Sequence, residues 1–428
     1  MGVGEHRMTV LRDEHQMRVQ RVCDVSTCAY ITDGWHDTNG SVGVVLTGRR
    51  YRLALTGQQL AYAEQVGAAC RAVWNTGLEQ RREYRRRGAW INYREQAGQM
   101  VEAKAEHAWL TSVPGHCLQQ TLMDLDKACR RHGTWKVRWR SGRRWSPSFR
   151  FPEGGKMVVE RLNRRWGRVK LPKLGWVRFR MTRALSGQVR SATVSREGNH
   201  WHVSFLVADG VTTPERHVGT SAVGLDRGVV AAVATSDGEM FDRACATAGE
   251  VRRYRRLQQR LARQRKGSAN RRKTVAVMRA VRARERARRK DFCDQTAADL
   301  ATEHAVIVLE GLKTRSMTAS AKGSVDAPGR RVRQKAGLNR AILGKGWHLF
   351  EEALGNAARY TGSRIVKVPA AYTSQTCYRC EHVDPESRES QAVFRCTACG
   401  HTDNADVIAA KNILAAGRAV TACGDLTG

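Results

Sequence analysis

Alternation of apolar and polar residues starts at RRYRLALT, residues 49–56, and predicts a β-strand. The period then changes. Thr56 and Gln59 stand three apart as a helix capping box, and Leu60, Ala63, Val66, Gly67, Cys70, Val73, Trp74 and Leu78 follow at helical spacing. Two more helices are expected over 91–107 and 115–132, divided by Pro114, so that 57–133 forms a helical unit between strands. From 135 to 208 short alternating runs return (TWKVRWR, SFRF, KMVVERL, GRVKLP, WVRFR, VRSATVS, HWHVSFLVA), separated by Gly and Pro. That spacing predicts an antiparallel barrel or sandwich.

The second half reads differently. Residues 219–236 predict two apolar strands joined around Asp226, with a hairpin turn near Ser236-Asp237-Gly238. The stretch 252–290 has only a thin apolar seam (Leu257, Leu261, Val275, Met278, Val281) and a break at Gly267-Ser268, which predicts a helical hairpin. A helix is then expected to about 303, followed by the buried-strand run AVIVLEGL (305–312) with Glu310 near its end. A loop rich in Gly, Ser and Lys covers 313–337, with a helix over 346–361, a strand over 363–370 and a helix over 406–416. Residues 1–48 are polar and irregular and are expected to form a flexible extension; Cys23 and Cys28 within it are spaced too loosely to argue for a metal site. The fold class is an α+β multidomain chain.

Charge narrows the function. The 428 residues hold 74 Lys and Arg against 40 Asp and Glu, a net +34, and 59 of the bases are Arg. A GC-rich coding sequence explains Arg over Lys but not the shortage of acids. Charge of one sign on this scale repels itself in a compact chain unless a polyanion neutralises it, so nucleic acid is the expected partner. The hairpin stretch 252–290 carries 18 of the bases and one acid, Glu285. Six of the 11 Trp (135, 139, 145, 166, 176, 201) are interleaved with Arg in 135–208, where some fill a core and exposed ones could stack on bases. With 41% hydrophobic residues the chain is not a disordered basic tail. No apolar run reaches the roughly 18 residues of a membrane span, and MGVGEHRMTVLRDEHQ lacks a signal core, so a cytoplasmic protein with reduced thiols is expected.

Four of the 12 cysteines form Cys377-Tyr-Arg-Cys380 and Cys396-Thr-Ala-Cys399. Two such knuckles supply four thiolates for a tetrahedral Zn²⁺ with no open position, so the zinc is structural. Three acids lie on apolar elements. Asp226 interrupts VGLDRGVV, where a buried charge is costly without a metal or partner. Glu310 ends VIVLE, and strand carboxyl ends gather sites. Asp406 opens DVIAAKNIL and alone reads equally as a helix N-cap, a role for which Asp403 competes. Converging carboxylates hold two Mg²⁺, one lowering the pKa of an attacking water and one stabilising the leaving 3′ oxygen of a phosphodiester. Hard oxygen ligands suit Mg²⁺ or Mn²⁺, as the cysteines do not.

At these residues the sequence resembles the TnpB (OrfB) proteins of bacterial insertion sequences and their relatives, the miniature type V CRISPR nucleases. The resemblance spans about 49–424. It includes YRLALTGQQ, GAACRAVWNTGLEQ, LPKLGWVR, VGLDRGV, the basic hairpin, IVLEGLKTRSM, TSQTCYRC, FRCTACGHTDNADVIAAKNIL and AVTACG. It implies an N-terminal wedge β-barrel (first strand 49–56, remainder 134–218) interrupted by a helical recognition unit at 57–133. An RNase H-like RuvC nuclease domain would follow at 219–373, with the basic hairpin at 247–290, and be completed by 403–428. Asp226, Glu310 and Asp406 would form its acidic triad, and a zinc-binding insertion at 374–402 would hold Cys377, Cys380, Cys396 and Cys399. Two departures stand out: Glu381 occupies a position where the family has glycine, and Ile408 replaces a common Asn.

The implied activity is RNA-guided DNA cleavage. A guide RNA pairs with one strand of double-stranded DNA over about 20 base pairs, the protein reads a short adjacent motif, and one RuvC site cuts both strands. Three alternatives remain: a miniature type V CRISPR effector, a nuclease-dead guided repressor, and a transposase that joins strands by transesterification. The presence of all three acids argues against the repressor.

Overall fold

The computed structural model describes residues 46–142, 145–212, 214–324, 326–369 and 371–424. The expected extension lies outside these residues, with Cys23 and Cys28, except for its last three positions. Those belong to the first strand, β1 (Leu46–Ala54). Leu46–Arg52 pair in continuous antiparallel register with His202–Ala208, so the order begins earlier than the alternation alone indicates. Two compact units divide between Asp209 and Gly210.

In the first unit the expected capping box forms: the Gln59 backbone N–H donates to Thr56 Oγ1 (3.3 Å), and the Thr56 N–H donates to Gln59 Oε1 (3.1 Å). It opens α1 (Gly57–Arg86), which is followed by α2 (Tyr93–Glu106), the short α3 (Ala108–Thr111) and α4 (Gly115–His132). Strands β2 (Ser148–Phe151), β3 (Val158–Arg161), β4 (Trp166–Leu171), β5 (Gly175–Arg180), β6 (Gln188–Glu197) and β7 (His200–Ala208) join β1 in one antiparallel sheet ordered β2-β6-β7-β1-β5-β4-β3. Ala63, Val66, Cys70 and Val73 of α1 and Leu118 and Leu122 of α4 share a core with Tyr51, Phe149, Phe179, Val203 and Phe205 of the sheet. The helical unit and the strands therefore fold as one body.

The run TWKVRWR is not a strand. After Gly133 (φ 80°) it makes a single 3₁₀ turn and then lies along α1, where Trp74 Nε1 donates to the Arg138 carbonyl (3.1 Å) and Asn75 bonds both backbone groups of Arg140. Trp201 is buried against Phe149, while Trp135 and Trp139 are exposed.

The second unit is built on a five-stranded sheet of β8 (Ala222–Asp226), β9 (Val233–Thr235), β10 (Met240–Phe241), β11 (Val306–Glu310) and β12 (Arg364–Val368), ordered β10-β9-β8-β11-β12. β11 runs parallel to both β8 and β12, and the other pairs are antiparallel. Between β10 and β11 come α5 (Ala248–Arg263) and α6 (Ala269–Glu303). The expected hairpin forms from α5 and the first half of α6, with its break at Gly267-Ser268. Its second arm and the helix expected after it are one continuous 35-residue α6, whose first half is basic and mostly exposed and whose last turns bury Phe292, Cys293, Ala297 and Leu300. The expected loop at 313–337 holds α7 (Thr314–Met317) and the start of α8 (Val332–Lys345), tied together by Asn339 Nδ2 on the carbonyls of Thr318 and Ala319. Then come α9 (Trp347–Thr361), the hairpin of β13 (Val393–Arg395) and β14 (Thr402–Asn404), and α10 (Ala405–Gly424).

Strand alternation sorts the two faces. Val223, Leu225, Ile307 and Leu309 pack with Phe292 and Leu300 of α6 and Phe350 and Leu354 of α9. Val308, Val366 and Val368 pack with Ile413 of α10 on the opposite face. Each such aliphatic side chain, fully buried, contributes about 1.5–3 kcal/mol. By the same alternation Asp226 and Glu310 project on the α10 side.

Candidate active site and thiol cluster

Asp226 and Glu310 end neighbouring parallel strands, one step beyond the paired residues Leu225 and Leu309. Asp406 comes to them from the first turn of α10. Its N-cap reading does not hold: Asn404 Oδ1 accepts the backbone N–H of Asp406 (2.9 Å) and of Val407 (3.3 Å), while Asp403 pairs with Lys411 (2.8 Å). The Asp406 carboxylate is left to face the turn after β8, where a Cβ built on Gly228 would stand 3.6 Å from Asp406 Oδ2.

The electrostatics report this convergence. Burial first, and then the neighbouring Glu310 and Asp406 carboxylates, push the Asp226 carboxyl up to about 7 against the opposing charge of Arg388. Burial also raises Glu310, opposed by a hydrogen bond from Thr373 and by the charge of Arg227. Arg227 is itself buried; it bonds the Glu310 carbonyl with one amino group and Glu351 with the other (3.0 Å). Negative charge gathered in a half-dry site calls for a cation, and three carboxylates are the donor set a hard divalent ion takes. The Asp406 carboxylate also accepts from Arg388 Nη2 (3.2 Å).

The four thiols lie together. Cys377, Cys380, Cys396 and Cys399 place all their sulfurs within 4.8 Å of one another, and among the described residues they are the one group of His, Cys, Asp or Glu drawn so tight. The carboxylates stand further apart than that. Two knuckle turns shape the cluster: Glu381 N–H donates to the Cys377 carbonyl (2.8 Å) and Gly400 N–H to that of Cys396 (3.0 Å). Glu381 and Gly400 hold equivalent left-handed conformations, φ 59° and 69°. The backbone N–H of Cys399 draws the Cys396 thiol down, while against the backbone N–H of His382 burial and the neighbouring sulfurs push the Cys380 thiol up; four thiols this close are the donor set of a tetrahedral zinc. Beneath the knuckles Cys377, Cys396 and Phe394 pack with Ala405 and Ile408 of α10. Ile408 thus fills the floor of the thiol cluster two residues from Asp406.

Sequence reasoning missed Arg388, Thr373, Arg227 and Asn404 as neighbours of the acids. Thr373 stands four residues before the first knuckle, yet no periodicity marks it.

Basic side chains are exposed in both units. α5 buries no residue at all, and its arginines are exposed. At the end of α1, Arg85 lies over the Trp90 ring (3.0 Å to its centroid) and Arg82 over Trp139 (4.7 Å), both rings exposed. These positions offer charge for phosphates and aromatic faces for bases.

Three family profiles match the chain: "Helix-turn-helix domain" of the IS605 OrfB proteins over residues 45–89, "Probable transposase" of the same group over 202–321, and "Cas12f1-like, TNB domain" over 347–413. Among curated proteins the chain is 37% identical to the "Putative RNA-guided DNA endonuclease InsQ" of Escherichia coli (strain K12), covering 88% of this chain and 94% of that protein. It is 28% identical to a "Putative RNA-guided DNA endonuclease" of Streptomyces pristinaespiralis, covering 88% and 90%. Among solved structures it resembles the protein of a Cas12f1–sgRNA–target DNA complex at 12% identity and a TM-score of 0.47, covering 84% of this chain and 83% of that one. Among the described residues no helix is long and apolar enough to cross a membrane.

Proposed function

The chain belongs to the OrfB (TnpB) family of insertion-sequence proteins, and from that premise we propose that it is an RNA-guided DNA endonuclease that hydrolyses phosphodiester bonds at Asp226, Glu310 and Asp406. The observation that carries this reading is the placement of those acids on the α10 face of one sheet, where burial first and the neighbouring carboxylates second push Asp226 up to about 7. The strand order β10-β9-β8-β11-β12, a three-stranded antiparallel meander extended by two parallel strands, supports an RNase H-like RuvC assignment for the second unit. The sheet and helices of the first unit take the wedge and recognition roles.

The three carboxylates would hold Mg²⁺ or Mn²⁺, and Cys377, Cys380, Cys396 and Cys399 would hold a structural Zn²⁺. A divalent ion there supplies Lewis-acid charge that eases ionisation of an attacking water and stabilises the leaving oxygen. The protein's own residues do the rest. The strand ends fix Asp226 and Glu310, the Asn404 cap fixes Asp406, and Arg388 brings a guanidinium to the carboxylates, where a scissile phosphate would meet it. The arginines of α5 and the Arg–Trp surface of α1 would hold the guide RNA and target DNA by backbone neutralisation and stacking.

Purification of the full chain with the transcript of its flanking DNA, followed by sequencing of bound RNA, tests this reading. One defined RNA with a variable guide end is the expected result. Random cellular RNA, or none, would remove the guided part of the proposal.

A further inference from the structure

Glu310 has a partner that neither its strand nor the other acids supply. The Thr373 hydroxyl donates to Glu310 Oε1 at 2.7 Å, and both residues are buried. Thr373 lies on the segment between β12 and the first knuckle, and this segment is clamped from α10. Asn412 Nδ2 donates to the carbonyls of Thr373 (2.8 Å) and Thr376 (2.7 Å). A local turn fixes the rest: Gln375 and Thr376 backbone N–H groups and the Thr376 hydroxyl all bond the Tyr372 carbonyl, with Tyr372 at φ 62°.

We propose that Thr373 is a positioning residue for Glu310: its hydroxyl donates to Oε1 and holds the carboxylate in one orientation toward the other acids, while Asn412 anchors the Thr373 backbone from the helix that carries Asp406. The inference rests on the assignment of Glu310 as a metal ligand. The physical argument is that a metal-binding carboxylate with one oxygen already hydrogen-bonded meets the ion in one orientation, and outer contacts of this kind are worth about 10–100-fold in metal affinity or activity. A buried glutamate without the bond would sample several rotamers, and the ion would have to select among them. Asn412 lies six residues beyond Asp406 on one helix, so a single rigid element sets two of the three acids.

The test compares the full chain carrying Thr373→Val, which keeps the shape and removes the hydroxyl, with Thr373→Ser, which keeps the hydroxyl and removes a methyl. Two readouts are taken: the Mg²⁺ concentration for half-maximal DNA cleavage by the guide-loaded protein, and Mn²⁺ binding to the RNA-free chain by paramagnetic resonance. Thr373→Val should raise the half-saturating concentration and the Mn²⁺ dissociation constant by about 10–100-fold, with a lower melting temperature from the donor lost to buried Glu310. Thr373→Ser should stay within about threefold of wild type. Asn412→Leu removes the donor without adding charge or touching the hydroxyl and should shift both readouts in the same direction, which keeps the proposal testable if the valine variant folds poorly. Wild-type metal binding by Thr373→Val and Asn412→Leu, with Asp226→Ala losing it, would overturn the positioning role alone. Wild-type Mn²⁺ binding by Asp226→Ala would overturn the acidic centre itself.

Discussion

Gly224 of β8 lies against the carbonyl of Ala410 on α10: a Cβ at position 224 would stand 2.1 Å from that oxygen and 2.7 Å from the Leu414 nitrogen. The helix that brings Asp406 to the strand ends therefore rests on bare backbone there, while further along α10 Gly417 makes room for the Val308 side chain of β11. Gly224→Ala forces the helix outward. It should cost about 3 kcal/mol or more and remove cleavage, because both partners are backbone and neither can rotate away. Thermal melting and a cleavage assay check this; a variant that melts and cuts like wild type would mean that α10 has room to shift.

Asp226 predicts a pH dependence. Its carboxyl sits at about 7 against the usual aspartate value of 3.8, so between those values the folded chain keeps a proton that the unfolded chain has released. The sign follows. The stability from this group is fully present below about pH 4 and is lost as the pH rises through about 7, up to about 4 kcal/mol for a three-unit shift. Magnesium-free protein should melt at falling temperature from pH 5 to pH 8, with Mg²⁺ restoring more at pH 8. The difference between wild type and Asp226→Asn isolates the group; identical profiles would contradict it.

The thiol cluster and the acidic centre share a floor. Phe394, Ala405 and Ile408 pack under the thiols, and Asp406 lies between the last two. Cys396→Ser should abolish bound zinc, lower the melting temperature of the second unit and reduce cleavage at least about tenfold by releasing the first turn of α10. Elemental analysis with a cleavage assay checks it. Full zinc content or wild-type cleavage would separate the two sites.

Glu381 holds the left-handed conformation that its counterpart Gly400 adopts freely. A non-glycine residue pays about 1–2 kcal/mol for it, offset by about 0.5–1 kcal/mol of extra chain entropy lost by glycine. Glu381→Gly should stabilise the knuckle by about 0.5–1 kcal/mol and slow zinc transfer to a chromogenic chelator two- to fivefold. Faster transfer would show that the glutamate side chain contributes a contact worth more than the strain.

Local signals in the sequence reach the structure well. The two Cys-x-x-C pairs need only their own turns, and the Thr56–Gln59 box only three residues, so both are visible along the chain. Asp226 and Glu310 are visible as charges inside apolar strands, but their meeting depends on the parallel register of β8 and β11, which no local pattern encodes. The failures have the same origin. TWKVRWR alternates along the chain, yet of its three apolar residues only Val137 is buried while Trp135 and Trp139 stay exposed, and α8 is hidden in a Gly- and Ser-rich stretch because it buries only Ile342. Arg388 and Thr373 touch the acids only after the insertion folds back on α10, and one hydroxyl in a turn leaves no periodic trace. Trp201 reads like its exposed neighbours along the chain and is core because it falls on the inner face of β7.

The central claim is that these three acids cut DNA chosen by a bound RNA. Its most direct test is cleavage of a plasmid carrying a matched target and its flanking motif by guide-loaded wild type and Asp226→Ala in Mg²⁺, with target binding measured in parallel. The account predicts cutting of the matched plasmid only, by wild type only, with both proteins binding it equally. Substantial cutting by Asp226→Ala, or cutting by wild type that ignores the guide, would contradict it.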